Sequence, residues 1–170
     1  MKPTGVIRKI DELGRIVIPK EIRRNLGIRD GENIEIFIDS DNIILHKHSQ
    51  IHKYEQITSK LCNTVTSIID VDIIITDREK VVATTKKYDN LIDKKINQKL
   101  ITLIDNRESL ISNEELIFDD NKVSGYFTIS PIISSIDSLG LVIVISEKQE
   151  DYEKITKLIS KILSEKIDIY

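Results

Sequence analysis

The spacing of apolar residues changes once along the chain, near residue 50, and that change limits what it can fold into. Before it, apolar residues alternate with polar ones in short runs broken by glycine and proline. After it, they recur at intervals of three and four. The first spacing belongs to strands and the second to helices. The chain therefore reads as a β-rich head over 1–50 and an α+β body over 51–170.

Four of the six glycines and two of the three prolines lie in the first 31 residues, where tight turns are expected. Val6–Ile10 and Arg15–Ile18 read as two strands around the turn Asp11-Glu12-Leu13-Gly14. Pro19 suits the first position of a helix, Ile22 and Leu26 share its face, and Gly27 can close it. Ile34, Ile36 and Ile38 then alternate along a third strand. Asp39-Ser40-Asp41-Asn42 turns it into a fourth, over Ile43–Lys47. A unit this small without a disulfide rarely holds a core alone. An obligate homodimer through residues 1–50, with an interwoven core, is expected.

In the body, Ile51, Tyr54, Ile57, Leu61, Val65 and Ile68 predict a helix over 51–69 that joins the two parts. Val71–Thr76, Val81–Thr85, Leu116–Phe118, Ser124–Ile133 and Leu139–Ser146 read as strands, the last of them central. Leu91–Ile104 reads as one or two helices. A closing helix over 148–168 carries Tyr152, Ile155, Leu158, Ile159, Ile162, Leu163 and Ile167 as its apolar stripe. The stripes of the two long helices exceed what one sheet face needs. A homotetramer assembled through 51–69 and 148–168 is therefore expected.

The net charge of −3 hides a division. Residues 1–29 hold eight basic and three acidic side chains, so the other 141 residues hold 17 and 25. Five of the seven arginines lie in that basic stretch. Local field, not the mean, decides which partner is attracted. Arg8, Lys9, Arg15, Lys20, Arg23 and Arg24 come from separate elements that could converge on one face. Doubled in a dimer, such a set has the footprint of a duplex-DNA grip.

These residues carry a family resemblance. The run Thr4-Gly5-Val6-Ile7-Arg8-Lys9-Ile10-Asp11-Glu12-Leu13-Gly14-Arg15-Ile16-Val17-Ile18-Pro19-Lys20-Glu21-Ile22-Arg23 resembles the N-terminal domain of the AbrB-type transition-state regulators. Leu26-Gly27-Ile28-Arg29-Asp30-Gly31 continues the likeness. The resemblance implies a dimeric swapped-hairpin β-barrel with one short helix, followed by a C-terminal GAF-like sensor or oligomerisation domain. It implies a DNA-binding regulator of transcription, with sporulation genes as targets and AT-rich duplexes as sites. It maps the DNA-contacting arginines onto Arg8, Arg15, Arg23 and Arg24, with Lys9 and Lys20 as phosphate contacts beside them. A small-molecule effector of the GAF-like domain is possible on this reading, but the sequence does not mark one.

Other classes find less support. No nucleophile elbow, phosphate loop or His-Glu helix motif is present, so no enzyme activity and no cofactor are expected. His46, His48, His52 and Cys62 lack the paired spacing of a structural zinc site, and no metal is expected. A single cysteine, no apolar run long enough to span a bilayer and no apolar signal core fit a cytoplasmic protein. An antitoxin with the same head would end in a short tail that masks a toxin, whereas this chain continues for about 120 patterned residues. A scaffold that binds no DNA is the third reading.

Overall fold

The computed structural model describes residues 4–31, 33–47, 49, 51, 54–135 and 137–168. The chain forms two compact units, Met1–His48 and Ser49–Tyr170.

In the first unit, α1 (Lys20–Asn25) begins directly after Pro19, which takes φ −57° and ψ 147° as the cap residue. The proline therefore stands one position ahead of the helix that it starts. Gly27, at φ +63°, ends it. Gly27 N–H donates to Arg24 O (3.1 Å) and Ile28 N–H to Arg23 O (2.7 Å), the paired bonds of a left-handed glycine stop. β1 (Ile34–Asp39) and β2 (Asn42–Lys47) form an antiparallel hairpin in the register Ile34↔Lys47 to Asp39↔Asn42. Its two-residue turn places Ser40 at φ +54°. The Phe37 and His46 rings meet edge to face, with centroids 5.9 Å apart.

The two strands expected at Val6–Ile10 and Arg15–Ile18 join no sheet in this chain. Their turn is closed by Asp11 N–H donating to Arg15 O (3.1 Å), but no ladder continues from it. A strand needs a second backbone within hydrogen-bond reach. Among the described residues, this chain offers none to these two segments. Nor does the unit bury a core: among the described residues, the first buried apolar side chain is Ile51.

The second unit is built on a five-stranded sheet. Its strands are β3 (Asp72–Thr76), β4 (Val81–Thr84), β5 (Leu110–Ser112), β8 (Tyr126–Ile133) and β9 (Ser138–Ser146). They lie in the order β4-β3-β9-β8-β5, and every neighbouring pair is antiparallel. β9 is central, as its unbroken apolar run predicts. Leu141, Ile143 and Ile145 face one layer, and Val142 and Val144 face the other. Burial on both faces explains a run that does not alternate.

One layer is filled from α3 (Gln98–Asn106) and the hairpin of β6 (Leu116–Phe118) and β7 (Asn121–Val123), with Leu100, Ile104, Leu116 and Phe118 at its centre. The other is filled from α2 (Glu55–Thr66) and α4 (Glu153–Asp168) through Cys62, Ile159, Leu163 and Ile167. A 3₁₀ turn at Lys86–Leu91 precedes α3. Asn97 caps α3 by accepting the N–H of Leu100 (3.0 Å).

Both long helices are shorter than their apolar periodicity suggests. α2 ends at Thr66, where the Ser67 hydroxyl donates to Thr64 O (2.7 Å) and Ile68 N–H closes a tighter turn onto Val65 O (3.0 Å). Ile68 falls beyond the helix and is 76% exposed. α4 starts at Glu153, whose N–H is taken by the Asp151 carboxylate (2.8 Å). Its buried face keeps Ile159, Leu163 and Ile167 of the predicted stripe but is rotated to one side of it. Leu158 is exposed, while Thr156, Ser160 and Ser164 are buried. Thr156 and Ser130 of β8 share a hydroxyl hydrogen bond at 2.8 Å, which draws the small-residue face onto the sheet.

Gly140 sits where β9 passes close to the backbone at Thr76 and Asp77. A Cβ there would lie 1.8 Å from Thr76 O. Gly140→Ala is expected to cost about 3 kcal/mol or more by forcing β3 and β9 apart. Gly14→Ala meets no atom within 4 Å and should cost only about 1 kcal/mol, through its φ of +76°. Chemical denaturation of the two variants would show the contrast.

Candidate nucleic-acid interface

The basic residues of the first unit sit on three local structures. Arg8 and Lys9 lie on the extended segment before the first turn, and Arg15 lies just after it. Lys20, Arg23 and Arg24 lie on α1. Lys20 is three residues from Arg23 and four from Arg24, so the three are neighbours on the helix surface. Arg23 is half-buried and the other five are exposed. Among the described residues, no ion pair or side-chain hydrogen bond links the turn residues Arg8, Lys9 and Arg15 to the helix residues.

Two of the arginines are held by acids of the same unit. Arg23 Nη1 pairs with Asp30, whose side chain is 92% exposed. Arg15 Nε donates to Asp11 Oδ2 at 2.8 Å. Asp11 Oδ1 also accepts the N–H of Leu13 (3.0 Å) and of Arg15 (2.8 Å). Arg8 Nη1 donates to Ile7 O (3.0 Å). Among the described residues, Arg8, Lys9, Lys20 and Arg24 form no ion pair. An exposed cation without an acid beside it can release counterions when it meets a phosphate.

Sequence reasoning named the cations but missed the acids that hold two of them. The signal for Asp11 was present: an aspartate that opens a four-residue turn tends to bond backbone N–H groups two residues on. For Asp30 there was none, because its approach to Arg23 depends on the bend at Gly27.

The histidines do not gather with the cysteine in the described structure. His46 lies on β2 against Phe37, while His48 and His52 lie outside the described residues. Cys62 is fully buried in the second unit, and burial pushes its thiol up to about 12. Such a thiol is neither a nucleophile nor a ready metal ligand. Among the described residues, no three of His, Cys, Asp and Glu are placed to hold a metal. No described helix is long and apolar enough to cross a membrane.

Comparison with known proteins agrees with this division. Residues 53–168 match the family described as stage V sporulation protein T C-terminal, transcription factor. The chain belongs to the stage V sporulation protein T family. It is 33% identical over 155 residues to stage V sporulation protein T of Bacillus subtilis (strain 168), covering 88% of this chain and 87% of that one. Residues 7–51 match a second family, antidote-toxin recognition MazE, bacterial antitoxin.

The first unit is also similar in sequence to the N-terminal DNA recognition domain of the Bacillus subtilis transition-state regulator AbrB. The identity is 56% over 28% of this chain and 91% of that one, with a TM-score of 0.25. The GAF domain of an Acinetobacter phosphoenolpyruvate-protein phosphotransferase covers 67% of this chain and 79% of its own. At 12% identity and a TM-score of 0.50, it shows that the second unit has a GAF-like fold.

The Asp11 carboxyl should titrate below the ordinary aspartate value of 3.8, because Arg15 N–H and its guanidinium bond the charged form. A carboxyl depressed in this way keeps its turn intact above the ordinary range. It loses the turn as the pH falls through the lowered value. Amide resonances of Leu13 and Arg15 should therefore move together on acidification, with a midpoint below 3.8. An ordinary midpoint at those amides would contradict the bonding pattern.

Proposed function

We propose that the chain is a transcription regulator of sporulation genes that grips AT-rich duplex DNA through its first unit. Arg8, Lys9, Arg15, Lys20, Arg23 and Arg24 form the gripping surface. The observation that carries this reading is a basic head whose large apolar residues are exposed. Among them are Ile7 (88%), Val17 (72%), Ile38 (81%) and Ile43 (67%). Such a surface is covered by a second copy of the same unit, as a swapped-hairpin dimer would do, and pairing doubles the set of cations. The sequence likeness to a DNA recognition domain supports the same reading.

The GAF-like unit gives the regulator its assembly. Leu158 (60%) and Ile57 (38%) lie exposed on α4 and α2, an apolar surface suited to pairing dimers into a tetramer. The match of residues 7–51 to an antitoxin family raises the other use of such a head. A folded body with two core layers, matched to a transcription-factor family, favours the regulator. On this reading the protein acts by binding, in the cytoplasm, and catalyses no reaction.

Gel shifts on an AT-rich duplex test the reading directly. Arg15→Ala and Arg23→Ala should each weaken binding by about 1–3 kcal/mol, roughly 5- to 150-fold. Unchanged affinity in both variants would reject it. Salt supplies a second measure. Neutralising roughly 6–8 phosphates per dimer predicts a slope of about −5 to −7 in log affinity against log salt. A nearly flat line would mean that no phosphate-gripping face exists.

A further inference from the structure

We propose that Asp11 is the positioning residue for Arg15: its carboxylate builds the turn and holds the guanidinium ready for DNA. The inference rests on the DNA-binding reading above.

Five hydrogen bonds converge on this turn. Asp11 Oδ1 accepts from Leu13 N–H (3.0 Å) and Arg15 N–H (2.8 Å), and Oδ2 accepts from Arg15 Nε (2.8 Å). Asp11 N–H donates to Arg15 O (3.1 Å), and Gly14 N–H donates to Asp11 O (2.9 Å). One residue thus fixes the backbone of Arg15 at both its N–H and its C=O, and fixes its side chain as well.

The pair cannot be explained as a stabilising ion pair. The Arg15 and Asp11 side chains are 71% and 42% exposed, where a pair adds little. What it does is restrict a long side chain. The carboxylate takes Nε and leaves the two Nη nitrogens, the outer end of the fork, for a phosphate or a base edge. Ordering a free arginine at a binding surface lowers affinity by about two- to twelvefold. Asp11 removes that loss by ordering Arg15 before DNA arrives. The Arg23–Asp30 pair differs, since it joins two side chains and no backbone group of Arg23.

The sign of one substitution separates positioning from plain charge. An acid beside a polyanion repels it, so charge alone predicts that Asp11→Asn tightens binding. Positioning predicts the reverse. Asparagine keeps an oxygen for the two backbone N–H groups but offers Arg15 Nε an amide nitrogen or a weaker, uncharged acceptor.

Fluorescence anisotropy of the full chain on a labelled AT-rich duplex, at fixed salt, tests this. Asp11→Asn should bind roughly three- to tenfold more weakly than the wild type, and the loss should vanish in an Arg15→Ala background. Equal or tighter binding by Asp11→Asn, while Arg15→Ala weakens it, overturns the positioning role and leaves the DNA reading standing. So does a loss of the same size in both backgrounds. If Arg15→Ala binds as well as the wild type, Arg15 does not contact DNA and the positioning role falls; the DNA reading falls with it only if Arg23→Ala also binds unchanged. Should Asp11→Asn not fold, Asp11→Ser keeps one oxygen for the turn and is read in the same way.

Discussion

The first 48 residues carry more apolar surface than one copy of them can hide. From Val6 to Leu45 most of their large apolar side chains stand exposed, and among the described residues no buried apolar one appears before Ile51. Burying apolar surface is the main favourable term in folding, and a unit of this size has too little interior to use it alone. What this unit does hold, it holds locally: a glycine-stopped helix, a two-residue hairpin and a turn tied to one aspartate. Local hydrogen bonds of this kind set shape without needing an interior. They leave the apolar strips uncovered and, among the described residues, Arg8, Lys9, Lys20 and Arg24 outside any ion pair.

The body meets the opposite condition. β9 is covered on both faces, so each of its residues between Leu141 and Val144 is fully buried. Two layers must then fit against one strand without clashing, and small residues make room for that fit. Gly140 lets β9 pass close to Thr76, and α4 lies on the sheet through Thr156, Ser160 and Ser164 as well as through Ile159 and Leu163. Serine and threonine are smaller than leucine, and Thr156 and Ser130 satisfy each other's hydroxyls. Where such groups are paired, close approach costs little.

Much of this was legible in residue order. Pro19 and Gly27 bracket α1 because one restricts φ and the other tolerates its reversal. The hairpin follows from alternation around Asp39–Asn42, and the central place of β9 follows from its unbroken run. Other features were not legible. The periodicity of 51–69 and 148–168 extends past the real ends of α2 and the real start of α4, because apolar spacing does not record which polar groups, such as the Asp151 carboxylate, take the terminal backbone bonds. Leu158 fits the stripe of α4 by number, but the buried side was chosen by the contour of β8. In the candidate interface the cations could be named from charge and family likeness. The ties of Arg15 to Asp11 and of Arg23 to Asp30 could not.

By itself, then, the sequence determined the division of the chain, the class of each part and the sign of its charge. Those properties depend on composition and on spacing within a few residues, which are local. Only the tertiary structure decided which apolar residues are covered, which strands find partners and which arginines are held. Those outcomes depend on groups distant in sequence meeting in space. For the first unit, what one chain leaves exposed is as informative as what it buries.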